Sequence, residues 1–251
     1  MVKLLLKKSY RRKDLKEIKF VDLWNAHGVF TTMRVIGKSA KILFFKEHID
    51  NLIKSLKIYK IYKKGLKENI FELIKLNLKI NKNYDHLLRI ALNKKTISIS
   101  LRKRPKPKSI FKLKMINYKR IDAEYKNLKY KKILKVLSKL DVTKYDIALY
   151  KDKKLLESGT SNLLFIINKK IYSPKIDIYK GISFKFFSKH IKIIPKDILM
   201  KNIEKCDEIL LIGSGKGVVS VSEIENTSWK RKSLKIYKKL FKIYNNKIFY
   251  S

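Results

Sequence analysis

Residues 29–36 (VFTTMRVI) interleave β-branched and aromatic apolar residues with threonines and one arginine, a β-strand pattern. Gly37-Lys38 reads as a turn, and residues 41–45 as a second strand. The period then becomes helical. Over 47–59, Ile49, Leu52, Ile53 and Leu56 share one face, and a second helix is predicted near 66–78. Residues 86–91 and 96–101 form a strand pair around Asn93-Lys94-Lys95. In its second member Ile97, Ile99 and Leu101 point one way, and Thr96, Ser98 and Ser100 the other. Further on, a helix is predicted over 128–140, strands at 147–150, 162–167, 170–172 and 208–212, a polar hairpin turn at 151–154, and helices near 183–191 and 233–244. There is no internal repeat and no Gly/Ser-rich linker. Strands and helices mix without a strict βαβ rhythm, so α+β layers are expected in both halves. RKRPKPKS, residues 102–109, has two prolines and five cations, should be extended and exposed, and divides the chain into 1–108 and 109–251.

Length and composition narrow the picture. A chain of 251 residues with 45% hydrophobic content can bury one large or two small cores. No apolar run reaches the ~20 residues of a membrane span. The start, MVKLLLKKSYRRKD, offers only Val2 and Leu4 to Leu6 as apolar content, short of a secretory signal. The single cysteine, Cys206, excludes an intramolecular disulfide and a Cys-rich zinc site, so a cytoplasmic protein is expected. Cys206 itself reads as a core-edge residue, not a nucleophile. The net charge is +41, but of 62 basic residues only 8 are Arg. The lysines are spread over every predicted element and accompany many Ile, Asn, Tyr and Phe. The charge is therefore read as the codon bias of an AT-rich genome. It favours small anionic substrates and cofactors, and nucleic acid is not the expected partner.

The candidate chemistry centres on LLESGTSNLLFI, residues 155–166, a half-buried hairpin that keeps Glu157 and Asn162 among apolar neighbours. A carboxylate in such a place needs a partner. Upstream lies EYKNLKYKKIL, residues 124–134, with Lys126 ahead of a predicted helix and 31 residues before Glu157. Downstream come YSPKIDIYKGIS (172–183) and EILLIGSGKGVVSV (208–221). GSGKG fits neither a P-loop nor a dinucleotide fingerprint.

This order of motifs resembles the class IV, or fold-type IV, pyridoxal-phosphate enzymes: branched-chain and D-amino-acid aminotransferases and aminodeoxychorismate lyase. The resemblance rests on Glu157, Ser158 to Ser161, Asn162, Leu163 to Phe165, Ser173-Pro174 and Gly181-Ile182-Ser183, and extends to GVFTTMRV and EHIDNLIKSL. It implies an α+β, two-domain fold like that of D-amino-acid aminotransferase. A small N-terminal α/β domain (1–108) would be joined by a linker (109–122) to a larger cofactor-binding α/β domain (123–251). It implies pyridoxal 5'-phosphate as cofactor and a homodimer. Lys126 matches the Schiff-base lysine, Glu157 the carboxylate that keeps the pyridine nitrogen protonated, and Tyr130 a cofactor contact. Ile182, Ser183, Ser214 and Gly215 match turns whose N–H groups bind phosphate. Two positions depart from the family. Lys129 stands where asparagine is usual, and it could depress the pKa of Lys126. Asn51 stands where His-x-x-Arg-Leu has its phosphate-binding arginine, with Lys54 a turn later as a possible substitute.

Alternation puts Phe30, Thr32 and Arg34 on one face, matching the strand that lines the family's substrate pocket. FTTMRV looks most like aminodeoxychorismate lyase. Arg34 and Arg89 are then the candidate binders of substrate carboxylate, and Thr32, or Thr31, the proton donor to the leaving group. A branched-chain or D-amino-acid aminotransferase is the alternative on the same scaffold. A basic binding protein that has lost the cofactor is a second, motivated by Asn51 and the charge. No metal site is expected.

Overall fold

The alternating segment around VFTTMRVI becomes an interior strand of a six-stranded antiparallel sheet in the computed structural model, which describes residues 4–79 and 81–249. In chain order the strands are β1 (Leu4–Arg11), β2 (Glu17–Ile18), β3 (Gly28–Gly37), β4 (Lys41–Ile42), β5 (Tyr84–Asn93) and β6 (Thr96–Lys103). In space they run β2-β1-β6-β5-β3-β4. Two helices, α1 (Phe45–Ile58) and α2 (Leu66–Asn77), cover one face of this sheet. Val29, Met33 and Val35 of β3, Leu88, Ile90 and Leu92 of β5, and Ile97, Ile99 and Leu101 of β6 meet Ile49, Leu52, Leu56, Ile70 and Leu73 of the helices in one buried cluster. Fully burying each such aliphatic side chain contributes about 1.5–3 kcal/mol.

Three local expectations change. The strand at 41–45 stops at Ile42, because Phe44 takes the left-handed conformation (φ 55°) and starts α1. The helix at 128–140 shrinks to α3 (Lys131–Leu137), because the residues before it pair with β3. The Lys-rich N-terminal segment, read without an element, is an interior strand of the sheet, and Val2 lies outside the described residues.

The chain forms two compact units. The first comprises Met1–Arg104 with Tyr125–Lys132, and the second Pro105–Glu124 with Ile133–Ser251. The second unit holds two five-stranded sheets. One contains β7 (Lys112–Asn117), β8 (Tyr145–Lys151), β9 (Lys154–Ser158), β13 (Ile198–Leu199) and β16 (Glu223–Ile224), in the order β13-β9-β8-β7-β16. The other contains β10 (Asn162–Ile167), β11 (Lys170–Ser173), β12 (Ile193–Pro195), β14 (Glu208–Gly213) and β15 (Gly217–Ser220), in the order β12-β11-β10-β14-β15. Leu113, Ala148 and Leu155 from the first sheet and Leu163, Phe165, Ile209, Leu211 and Val219 from the second share one apolar core with Trp229. Trp229 is fully buried and its indole N–H donates to the Cys206 carbonyl at 2.8 Å. Burial pushes the Cys206 thiol up to about 12, so at neutral pH it is a small apolar group. Helices α4 (Ile182–Ser188) and α5 (Lys235–Phe249) complete the unit. No described helix is long and apolar enough to cross a membrane.

Candidate active site

Lys126 belongs to the first unit, on a short extended stretch that lies along the start of β3. Its carbonyl accepts from Phe30 N at 2.9 Å, Asn127 bridges to Val29, and Leu128 N donates to the Gly28 carbonyl at 3.0 Å. Gly28 is required there, since a Cβ would run into the Leu92 carbonyl and the Leu128 side chain. These backbone bonds fix Lys126 Cα without using its side chain. The ammonium lies 5.2 Å from the Phe30 ring centroid, a cation–π contact. Tyr130 is buried beside Phe30 and Trp24, with ring centroids at 5.4 and 6.0 Å. Lys129 Nζ donates to the Asn25 carbonyl at 3.3 Å.

Phe30, Thr32 and Arg34 lie on the sheet face opposite the helices, as alternation requires. Arg89 is directly across from Thr32 on β5, an interior strand. Its guanidinium donates to Asp22 at 2.8 Å and stacks on Trp24 with 4.4 Å to the ring centroid. Arg34 donates to Asp85 at 3.1 Å.

Thr31 points the other way, towards α1, where its hydroxyl lies 2.8 Å from His48 Nδ1. His48 is the histidine of the helix motif. Burial, and then the charge of Lys126, lower its pKa from 6.5 to about 3. The unfolded chain therefore binds a proton that the folded chain refuses between these values. The stability from a neutral His48 is complete above pH 6.5 and is lost as pH falls towards 3. Lowering pH from 7 to 5 should cost on the order of 2 kcal/mol through this group. Urea denaturation at both pH values should show that loss in the wild type and a smaller one in His48→Gln. Asn51 and Lys54 sit on α1, with Asn51 half-buried and Lys54 exposed.

The second unit answers what the buried carboxylate of LLESGTSN faces. Glu157 is 4% exposed and its partner is Arg120, itself 2% exposed. Arg120 Nε donates to Glu157 Oε1 at 2.5 Å, and its Nη2 donates to the Ala123 carbonyl. Glu157 Oε2 accepts from Tyr179 N at 3.2 Å. Asn162 ties the same loop: its amide donates to the Tyr179 carbonyl at 2.6 Å and accepts from Gly181 N at 3.1 Å. The turn between β9 and β10 is held by fully buried Asp146, which accepts from Ser158 at 3.1 Å, Thr160 at 2.8 Å and Lys216 Nζ at 2.6 Å. Gly159 lets that turn sit close, since a Cβ would meet Ile147 Cγ1 at 2.8 Å.

Ile182 and Ser183 open α4 and are buried; Ser183 Oγ finds no partner among the described residues. Ser161 Oγ, below Gly213, is likewise buried and unpaired among them. Ser214 and Gly215 form the turn between β14 and β15. Among the described residues no His/Cys/Asp/Glu group could hold a metal.

Sequence reasoning passed over Arg120 and Asp146. A signal for Arg120 existed: in a chain where lysine outnumbers arginine so heavily, each arginine marks a place where the planar fork does something an ammonium cannot.

The family model for class IV amino-transferases matches residues 28–224. No curated protein matches the chain significantly. Among solved structures, a Thermoproteus uzoniensis branched-chain aminotransferase with norvaline superposes with TM-score 0.75 at 16% identity, over 95% of this chain and 93% of that one. A Brucella abortus aminotransferase bound to pyridoxal phosphate gives TM-score 0.74 at 15% identity, over 96% and 98%. A Legionella pneumophila protein provisionally assigned as a 4-amino-4-deoxychorismate lyase gives TM-score 0.72 at 21% identity, over 88% and 91%.

Proposed function

The chain belongs to the class IV amino-transferases, a family of pyridoxal-phosphate enzymes with the fold-type IV architecture, and we propose that within it this protein is the lyase that cleaves 4-amino-4-deoxychorismate to 4-aminobenzoate and pyruvate for folate synthesis. The observation that carries this choice is the row in which Thr32 stands directly across from Arg89, on the face that also bears Phe30 and Arg34. A carboxylate-binding guanidinium and a hydroxyl side by side suit an elimination in which a carboxylate-bearing group departs.

Each unit carries residues whose chemistry suits the cofactor. Glu157 is a buried carboxylate paired with Arg120, and an oxygen lone pair on it suits a protonated ring nitrogen. The unpaired hydroxyls of Ser183 and Ser161 suit a phosphate. Ile182, Ser214 and Gly215 would add backbone donors, Tyr130 would flank the group, and Asn51 would bring a neutral side chain. When bound, pyridoxal phosphate supplies an electron sink for the carbon that bears the substrate amine. Lys126 would hold the cofactor and, displaced by the substrate amine, take the proton from that carbon. Arg89 and Arg34 would hold the substrate carboxylate. Thr32 would pass a proton to the departing enolpyruvyl group, which leaves as pyruvate while the ring becomes aromatic. A homodimer acting on a small anionic substrate completes the reading.

Purified protein supplied with pyridoxal phosphate and 4-amino-4-deoxychorismate should release pyruvate. Amino-group transfer from branched-chain or D-amino acids to 2-oxoglutarate, with no pyruvate formed from the chorismate derivative, would assign the transaminase activity instead. Thr32→Val should lower lyase turnover by about a hundredfold, the usual worth of a positioned proton donor, and leave cofactor absorbance unchanged. Full turnover in that variant removes Thr32 from the chemistry.

A further inference from the structure

The face of the first sheet opposite α1 and α2 carries more positive charge than its own acids balance. Residues directly opposed on antiparallel strands share a face, and diagonal neighbours are within reach of long side chains. Thr32, Arg89 and Ser100 therefore form one row across β3, β5 and β6, and Arg34, Leu87 and Arg102 the next. Arg89 is the diagonal neighbour of both Arg34 and Arg102. Arg104 follows just beyond the end of β6. Half of the chain's eight arginines thus gather around one patch.

Two carboxylates answer them among the described residues. Asp85 accepts from Arg34 Nε at 3.1 Å and from Arg104 Nε at 2.8 Å, and Asp22 accepts from Arg89 Nη2 at 2.8 Å. Burial pushes the Asp85 carboxyl up, but the hydrogen bonds and charges of Arg104 and Arg34 outweigh it and hold the group below its ordinary value. The Arg102 side chain makes no ion pair or hydrogen bond among the described residues. Arg89 Nε is buried without a partner among them. Burial, and then the like charge of Arg89, lower the Arg102 pKa from its ordinary value. A half-buried arginine held beside another and left unneutralised costs stability in the free protein. The cost is offset when an anion occupies the patch, and a guanidinium binds a carboxylate in a planar, two-point fashion that lysine cannot reproduce.

We infer that Arg102, acting beside Arg89, is the receptor for a second carboxylate and makes this sheet face select dianionic over monoanionic ligands. Arg89 and Arg34 alone would satisfy one carboxylate. Arg102 adds a second anchor across the hydroxyls of Thr32 and Ser100, so selectivity resides on β6 as well as on β3. The inference rests on the proposed function insofar as the ligand is that enzyme's substrate, but its test does not require turnover.

Isophthalate and benzoate share a ring and differ by one carboxylate, so their affinity ratio reads the second anchor. Calorimetric titration of the full chain, with and without added pyridoxal phosphate, should give a preference for isophthalate of roughly tenfold, as expected for one charge-assisted contact. Arg102→Gln should abolish that preference while leaving benzoate affinity unchanged, and Arg102→Lys should keep part of it. Exposed Lys64→Gln makes the same change in net charge and should leave the ratio as in the wild type, which separates the anchor from the general field of a +41 protein. Because Arg102 is unneutralised, the thermal midpoint of Arg102→Gln should equal or exceed that of the wild type. No preference in the wild type, or a preference retained in Arg102→Gln, overturns the inference. Loss of the preference in Arg102→Gln in a protein that stays colourless with cofactor sustains the receptor and sinks the lyase reading. A coloured, lyase-active protein without the preference does the reverse.

Discussion

Lys126→Ala is expected to leave a folded protein that retains no pyridoxal phosphate absorbance after gel filtration and releases pyruvate at least about a thousandfold more slowly, since under the proposed function it removes both a covalent anchor and a proton-transferring base. The expectation of an intact fold comes from how the residue is held. Its carbonyl accepts from Phe30 N, and the two residues after it pair with Val29 and Gly28. All of these are main-chain contacts that alanine keeps. The side chain contributes a cation–π contact with Phe30, worth about 0.5–1 kcal/mol. Far-UV circular dichroism and the denaturation midpoint should therefore change little while colour and turnover disappear. Lys126→Arg keeps the charge above the Phe30 ring but would not anchor the cofactor, and should be equally colourless. Two outcomes defeat the assignment: a Lys126→Ala variant as yellow and as active as the wild type, or a wild-type protein that stays colourless with excess cofactor.

Lys126 and Glu157 are singled out in the sequence by register as candidates, and what surrounds them is not. The motif order proposes one lysine among 54 and one glutamate among many carboxylates. Their surroundings depend on pairings that no local pattern encodes. The predicted helix at 128–140 takes in Leu128 because its spacing suits the apolar face, yet Leu128 N bonds to Gly28, a hundred residues away, and the helix can start only after that strand-like pairing ends. β1 is hidden for a different reason. In LLLKKSYR a buried Ser9 beside lysines masks the alternation, and long lysine stems cover apolar surface while their ammonium groups stay wet. The codon bias that inflates lysine thus blurs the polar half of the pattern. The same bias sharpens the arginines. Arg34, Arg89, Arg102, Arg104 and Arg120 each stand where a planar fork meets a carboxylate or another guanidinium. Weighing the rare cation above the common one puts Arg120 on a short list of eight from the sequence alone.

Arg120→Leu should be strongly destabilising, costing about 3–5 kcal/mol in urea denaturation. It strips the counter-ion from Glu157, which is 4% exposed and also accepts from Tyr179 N at 3.2 Å. A buried carboxylate without its counter-ion must take up a proton or expose itself, and either route weakens the folded state. Arg120→Lys should cost less, since an ammonium restores the charge but cannot reach both Glu157 and the Ala123 carbonyl as the fork does. The double variant Arg120→Leu/Glu157→Leu distinguishes scaffolding from chemistry. Replacing both members of a buried ion pair by apolar groups of similar size is often neutral or stabilising. Its denaturation midpoint should therefore recover most of the way to wild type. If Glu157 served only to neutralise Arg120, lyase activity would recover with it. The proposed role at the ring nitrogen requires the opposite: a stable protein whose turnover stays at least about a hundredfold down, because the carboxylate that keeps the electron sink protonated is gone. Restored stability together with restored turnover would reduce Glu157 to a structural partner.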